Sequence, residues 1–464
     1  MSVINTVTDQ NGVRYELSEL LGRGGQGAVY AVKNGRLAVK IIAAGSQSKR
    51  DKLRNQLTFV RRLPLNDLAM AKPLEMLRSP LTGYIMELLT EMIPIKSMIS
   101  PPRGQSHSPE WYLRSGGLKR RLLLLGNAAQ VLSRLHGKGL VYSDPSPTNI
   151  FISEDFNNQE VWLIDVDNLQ YESTPVNSVF TPGYGAPELV KGSAGVNTLT
   201  DVFAFTVLAF QILTLAHPFI GDKVNEGEPE LEEQAFLGNL PWIDDPNDSS
   251  NCASFGVPRT RVLSPRLNEL FNRSFGIGRI DPRSRPGMSE LMEKLYNAAD
   301  ATIVCNDCSG TYYFTQQACP WCDFPRPTFV TAVLHIWDPK FGPQGGILAK
   351  PKGESSTPVI AGHFAISNNQ SYIITKRLAF GHSVGWVDDP VVSVSLVNNQ
   401  IKLLSLDGNS YSLFSPSGSK KTEIIDHEKT MLIKEREGSW RLHFSNSNTL
   451  HRVVSFELRM GEKP

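Results

Sequence analysis

YSDPSPTNIFI (residues 142–152) and WLIDVD (162–167) decide the reading of this chain. Both are apolar, strand-like runs interrupted by oxygen-bearing side chains: Asp144 and Asn149 in the first, Asp165 in the second. Two carboxylates and a carboxamide delivered to one place form a donor set suited to a hard cation such as Mg²⁺. An Asp-x4-Asn spacing is common by itself. The Asp on a following strand and TPGYGAPE (181–188) beyond it make the combination specific.

A second segment points the same way. LLGRGGQGAVY (20–30) carries Gly22, Gly24, Gly27 and Val29 in the order G-x-G-x-x-G-x-V, and glycines there let backbone approach phosphate without a Cβ clash. Gly-rich turns are frequent, so the continuation matters. In AVKNGRLAVKII (31–42), Asn34-Gly35 is a hairpin turn signal between two apolar runs, and the second run presents Lys40.

Together these motifs resemble the protein-kinase superfamily over about residues 14–298. The resemblance implies an α+β, bilobal kinase fold, with an N-lobe at 1–90 and a C-lobe at 91–298. It implies transfer of the γ-phosphoryl of MgATP, Mn²⁺ being an alternative metal, to a protein serine or threonine hydroxyl. Asp144 would take the proton from that hydroxyl, Asn149 and Asp165 would hold the metal, and Lys40 would reach the α- and β-phosphates. ATP would lie under Gly22, Gly24, Gly27 and Val29, with Ala38 as the adenine roof and Phe151 as its floor. Met86 in GYIMELL would be the gatekeeper, and the backbone of Glu87 and Leu89 would meet the adenine edge. Glu188 and Arg285 match the ion pair that ties the end of the activation segment to the lower lobe, while Asp201 would cap the backbone of the catalytic loop. More narrowly, VYSDPSPTNIFIS, VWLIDVDNL and TPGYGAPEL are similar to bacterial Ser/Thr protein-kinase-like proteins carrying an added zinc ribbon. Some of these occur in tellurite-resistance-associated phosphorylation triads beside a 2C-type phosphatase and a von Willebrand A domain protein, which that resemblance implies as partners.

Departures from the pattern surround the same centre. Aligning RNQLTFVRRL (54–63) places Gln56 where a glutamate pairs with the lysine, and a neutral amide makes a weaker partner than a charged one. Tyr142 and Ser143 replace His-Arg before Asp144, leaving no arginine to dock an activation-loop phosphate; Ser173, Thr174 and Ser178 are the candidate phosphorylation sites. Thr181 matches the residue whose hydroxyl bonds near the base. Ser146 stands where a lysine would neutralise the transferred phosphate, so turnover should be slow. Val166-Asp167 follows the metal-binding aspartate. Asp167 either joins the metal site or caps the next turn, and the turn preference of aspartate favours the cap. Two further readings share these residues: a nucleotide-binding pseudokinase scaffold, and a small-molecule kinase. TPGYGAPE and Arg285 argue against the latter because they build a protein-docking segment.

At 464 residues with 41% hydrophobic content, the chain has room for about three domains. Its net charge of +1 gives no electrostatic case for nucleic acid or an anionic membrane. Lys119-Arg120-Arg121 reads as a solvated helix face, and residues 221–264 as a polar, solvated insertion. VFAFTVLAFQILTLAHPF (202–219) reads as a buried helix rather than a membrane span, and MSVINTVTDQNG lacks the features of a signal peptide, so a cytoplasmic location is expected.

Cys305, Cys308, Cys319 and Cys322 follow C-x2-C-x10-C-x2-C. Two such knuckles supply four thiolates to one Zn²⁺ and leave no open position, predicting a structural ribbon at 299–328. Disulfides and a rubredoxin-like iron site are the other readings, and Cys252 stands outside the pattern. From 329 to 464, PVIAGHFAI, SYIITKRLAF, PVVSVSLV, QIKLLSL, SYSLFS, WRLHF and RVVSFEL alternate with turn signals at Asn398-Asn399, Asp407-Gly408 and Gly438. They predict an antiparallel sandwich or barrel. A phosphothreonine-binding sandwich of the forkhead-associated type is one reading of it, without an assignable Arg and Ser. His335, His363, His382, His443 and His451 are too scattered along the sequence for a metal site.

Overall fold

Alternating short apolar residues over 6–42 and 75–87 build an antiparallel sheet whose order is Thr6–Thr8, Arg14–Gly24, Gly27–Val32, Leu37–Ile42, Gly83–Glu87, Glu75–Met76. Two glycines permit its tight spacing. A Cβ at Gly27 would sit 2.1 Å from Ile41 O, and one at Gly83 would sit 2.0 Å from Lys40 O, both at positive φ. The computed structural model describes residues 5–459 except 25–26, 34, 44, 103, 105–106, 173–178, 342–345, 353–354, 382–388, 399, 417–420, 425–428 and 433–438. Asn34, Ser173, Thr174, Ser178, His382, Asn399 and Gly438 therefore lie outside the described residues.

The chain divides into two compact units, 1–116 with 120–295, and 117–119 with 296–464. In the first unit, the helix Gln47–Arg62 starts at Ser46, whose hydroxyl accepts from Lys49 N. It lays Leu57 against Ile42, Met76 and Tyr84. The upper sheet is tied to the lower lobe by backbone: Leu163 N donates to Ala69 O at 3.0 Å and Ala71 N to Leu163 O at 2.9 Å.

The lower lobe is organised around Thr198–Thr214, a helix buried on nearly every face and opened by an Asn197/Thr200 capping box. Antiparallel pairs Ile150–Ser153 with Val161–Leu163, and Leu140–Val141 with Gln170–Tyr171, hold the two runs that decided the sequence reading. No helix among the described residues is long and apolar enough to cross a membrane.

Two expectations about this lobe are corrected. Arg120 and Arg121 are buried, not a solvated face. Arg121 donates to Met98 O (2.6 Å), Ile212 O (2.9 Å) and Ser115 Oγ (2.6 Å) and lies 4.2 Å from the Tyr112 ring, so ready-made acceptors offset its desolvation. Residues 221–264 are likewise not a solvated loop. They form the helices Asp222–Asn225, Pro229–Phe236 and Arg259–Val262 and insert fully buried Trp242 against Phe210 and Phe275. Buried Asn251 closes the segment by donating to Phe219 O and Pro241 O.

In the second unit, the pair Thr302–Val304 with Thr311–Tyr313 carries the first cysteine knuckle. Beyond it, two antiparallel sheets, centred on Phe329–Asp338 with His451–Arg459 and on Pro390–Val397 with Gln400–Ser405, enclose one apolar core containing Phe364, Val394, Leu403 and Phe456. This is compatible with the antiparallel sandwich or barrel expected, with one departure: SYIITKRLAF is a strand only to Thr375 and then a helix, Lys376–Phe380. Arg377 turns inward there to meet Asp300 through two bonds of 2.9 Å. His443 Nδ1 and His451 Nε2 come together at 2.9 Å beside Trp337.

Candidate active site

Asp144 and Asn149 project from the loop between Leu140–Val141 and Ile150–Ser153, a loop pinned from beneath. Asp201, fully buried, accepts from Tyr142 N at 2.7 Å and Ser143 N at 2.8 Å, the capping role expected of it. The bonds hold Ser143 at φ 83, a conformation costly for a residue with a Cβ. Tyr142, in place of the usual histidine, donates its hydroxyl to Ile164 O and Asn149 O. Ser143 Oγ donates to Asn168 O at 3.1 Å.

The Asp144 carboxylate is fixed from two sides. Thr181 gives it N–H (2.9 Å) and Oγ–H (2.8 Å), and Asn149 Nδ2 donates at 2.9 Å. Burial raises its pKa above the ordinary carboxylate range, and the Thr181 bonds pull partly back. Because Asn149 spends its amide nitrogen on Asp144, its Oδ1 has no protein partner among the described residues. Asp165, at φ 57, uses Oδ1 on Lys40, and its Oδ2 is likewise without one. Two unengaged hard oxygens thus remain at the end of the two strand runs, which fits a divalent cation. Ser146 is buried with Thr148 Oγ1 at 3.5 Å, and Asp144's described partners include no lysine or arginine.

Lys40 departs from the expected pairing. Its Nζ lies 2.5 Å from Asp165 Oδ1 and 2.6 Å from Asp167 Oδ2. Burial works to lower its pKa, but Asp167 and Asp165 outweigh it and hold the amine above its ordinary range. Gln56 instead donates to Leu169 O at 2.7 Å. Asp167 is not a turn cap: it is buried, and its Oδ1 accepts from Tyr84 OH at 2.7 Å.

The other nucleotide-site candidates lie on or beside the upper sheet, except Phe151. Gly22 pairs with Val29 and Gly24 with Gly27 in the first hairpin, and Ala38, buried, faces Met86 across strands. Phe151 lies on Ile150–Ser153. Leu88 N donates to Arg36 O, so Glu87, opposite Leu37, is at a non-hydrogen-bonded position and turns its backbone polar groups outward next to Leu89. Glu188 and Arg285 form the expected two-bond pair at 2.7 and 2.8 Å. Sequence reasoning missed Tyr84, which nothing in GYIMELL marks as polar-facing, and His217. The latter bonds Gly183 O in TPGYGAPE at 2.9 Å.

In the second unit the four cysteine sulfurs lie within 4.8 Å of one another, an arrangement able to hold a metal ion. The two knuckles repeat each other. Cys305 N donates to Gly310 O and Cys319 N to Phe324 O, with Ser309 and Asp323 both left-handed.

Comparison with known proteins agrees with this geometry. The protein kinase domain family matches residues 15–297, and the chain belongs to that family. It is 25% identical over 299 residues to the L-type lectin-domain containing receptor kinase I.7 of Arabidopsis thaliana, covering 61% of this chain and 41% of that protein. It is 27% identical over 238 residues to the serine/threonine-protein kinase PknB of Mycolicibacterium smegmatis (45% and 34% covered). It is also 27% identical over 222 residues to the DNA damage-responsive serine/threonine-protein kinase RqkA of Deinococcus radiodurans (45% and 31% covered). The matches span less than half the length of each of these relatives.

Proposed function

We propose that the chain transfers the γ-phosphoryl of MgATP to a serine or threonine hydroxyl of a protein. The observation that carries this reading is the Asp144 carboxylate, held by Thr181 and Asn149 and close enough to Asp165, which bonds Lys40, to feel its charge. Asp144 accepts the hydroxyl proton, and its raised pKa suits a base. Asn149 Oδ1 and Asp165 would hold Mg²⁺, which when bound neutralises phosphate charge. The Glu188–Arg285 pair supports a protein substrate over a small molecule, because it fixes the segment on which a polypeptide docks. The narrower resemblance supports a bacterial kinase acting beside a 2C-type phosphatase and a von Willebrand A domain protein.

The four cysteines are proposed to hold structural Zn²⁺. Sulfur pairs at 3.6 and 3.7 Å are close to the ~3.8 Å edge of a tetrahedron built on ~2.3 Å Zn–S bonds. Amides of Asp307 and Gly310 point at Cys305 and Cys308 sulfurs at 3.4 Å, as thiolates require.

A nucleotide-binding scaffold is the second reading, supported by Ser146 and the lack of a cation among Asp144's described partners. Incubation with radiolabelled MgATP, alone and with candidate neighbouring proteins, separates the two. The kinase reading expects labelled protein that falls on the order of a hundredfold or more in Asp144→Asn, with nucleotide binding retained. Binding by the native chain without transfer to itself or any candidate would favour the scaffold.

A further inference from the structure

Lys40 needs a fixed anion to hold it against the phosphates, and the helix Gln47–Arg62 does not supply it: its one acid, Asp51, is exposed and accepts from Gln47, while Gln56 is neutral and engaged with Leu169 O at 2.7 Å. The anion present comes from the opposite direction. Asp165 adopts a left-handed conformation, and the chain then makes a single 3-10 turn, Val166–Asn168, with Leu169 N returning to Val166 O at 3.1 Å. Buried Val166 anchors this turn, which lifts Asp167 into the upper lobe. There Asp167 Oδ2 meets Lys40 Nζ at 2.6 Å, and Oδ1 meets Tyr84 OH at 2.7 Å. Tyr84 is positioned by register. It lies directly across from Lys40, and the absent side chain of Gly83 lets the two strands close. Both carboxylate oxygens are thus occupied, and the group is 4% exposed.

We infer that Asp167, oriented by Tyr84, is the positioning residue for Lys40 and replaces the helix-borne acid that Gln56 has vacated. Lys40 currently bonds two carboxylates, but Asp165 is also the proposed metal ligand. With Asp165 given over to holding the cation, Asp167 would be the carboxylate left to anchor Lys40. Lys40's anchor and the metal ligand then sit two residues apart on one turn. The position of Lys40 is then governed by that turn, to which the helix 47–62 is tied through Gln56 and Leu169 O.

This inference rests on the nucleotide-binding reading above, and its test uses binding rather than turnover. Mg·ADP affinity of the full chain is measured by calorimetry in a double-mutant cycle of Asp167→Asn with Lys40→Met. Loss of a charge-assisted bond to a buried amine should weaken binding about tenfold in the native background. If Asp167 acts through Lys40, the same change should matter less than about twofold in Lys40→Met. Tyr84→Phe, which removes one hydroxyl, is run through the same cycle as the milder variant; about threefold is expected in the native background, again vanishing in Lys40→Met. Equal losses in both backgrounds, or no loss in either, would overturn the inference while leaving the kinase reading intact. A native chain that does not bind Mg·ADP overturns both.

Discussion

His217 gives the segment TPGYGAPE a pH-dependent clasp whose strength can be worked out from its bonds. Its Nε2 lies 2.9 Å from Gly183 O, which can only accept, so Nε2 carries the proton. Nδ1 then accepts from Phe219 N at 3.2 Å. Protonating Nδ1 would set two N–H groups against each other within a ring enclosure of Tyr184, Phe219 and Phe236. Burial lowers the His217 pKa from 6.5 to about 4, the Gly183 bond opposing it. For a depressed histidine the neutral form is the one folding favours. Its contribution is complete above pH 6.5 and is lost as pH falls toward 4. At about 1.4 kcal/mol per pKa unit the descent corresponds to about 3 kcal/mol, reduced to about 2 kcal/mol because the residue as a whole is only partly buried. Urea unfolding of the native chain and His217→Gln between pH 7.5 and 4 measures it. The native advantage should shrink by about 2 kcal/mol on that descent. A difference between the two proteins that does not change with pH would refute the argument.

Arg285→Ala should cost about 3–5 kcal/mol, because it leaves Glu188 without its two bonds and removes a guanidinium that also serves Gly278 O and Leu199 O; an unfolding free energy from urea titration within about 1 kcal/mol of native would contradict this. Asp165→Ala should abolish Mg²⁺-dependent ATP binding by calorimetry, since the remaining oxygen donor, Asn149 Oδ1, is uncharged; undiminished binding would remove Asp165 from the metal site. Cys305→Ser with Cys308→Ser should release about one equivalent of zinc per chain and lower the melting temperature. Elemental analysis of freshly reduced native protein that finds neither zinc nor iron would end that assignment.

The sequence by itself determined the elements whose chemistry is carried by local spacing. Asp144 and Asn149 are five residues apart on one loop, Asp165 enters from the next strand, and Gly22 and Gly24 pair with Val29 and Gly27 within one short segment. The cysteine knuckles are similarly local, each closing over six residues from Cys305 to Gly310 and from Cys319 to Phe324. Glu188 with Arg285 and Asp201 beneath Tyr142 were legible through family resemblance alone, being long-range pairs that spacing does not encode. What only the tertiary structure decided was which partner each long or buried polar side chain takes. Asp167 looked like a turn residue because turns favour aspartate, yet it crosses 127 residues of sequence to Lys40. Arg121 looked like a surface charge, yet three acceptors from separate segments let it be buried. Local sequence fixes the backbone that presents a polar group, but desolvation makes its final partner a property of everything packed around it, and that information is spread along the whole chain.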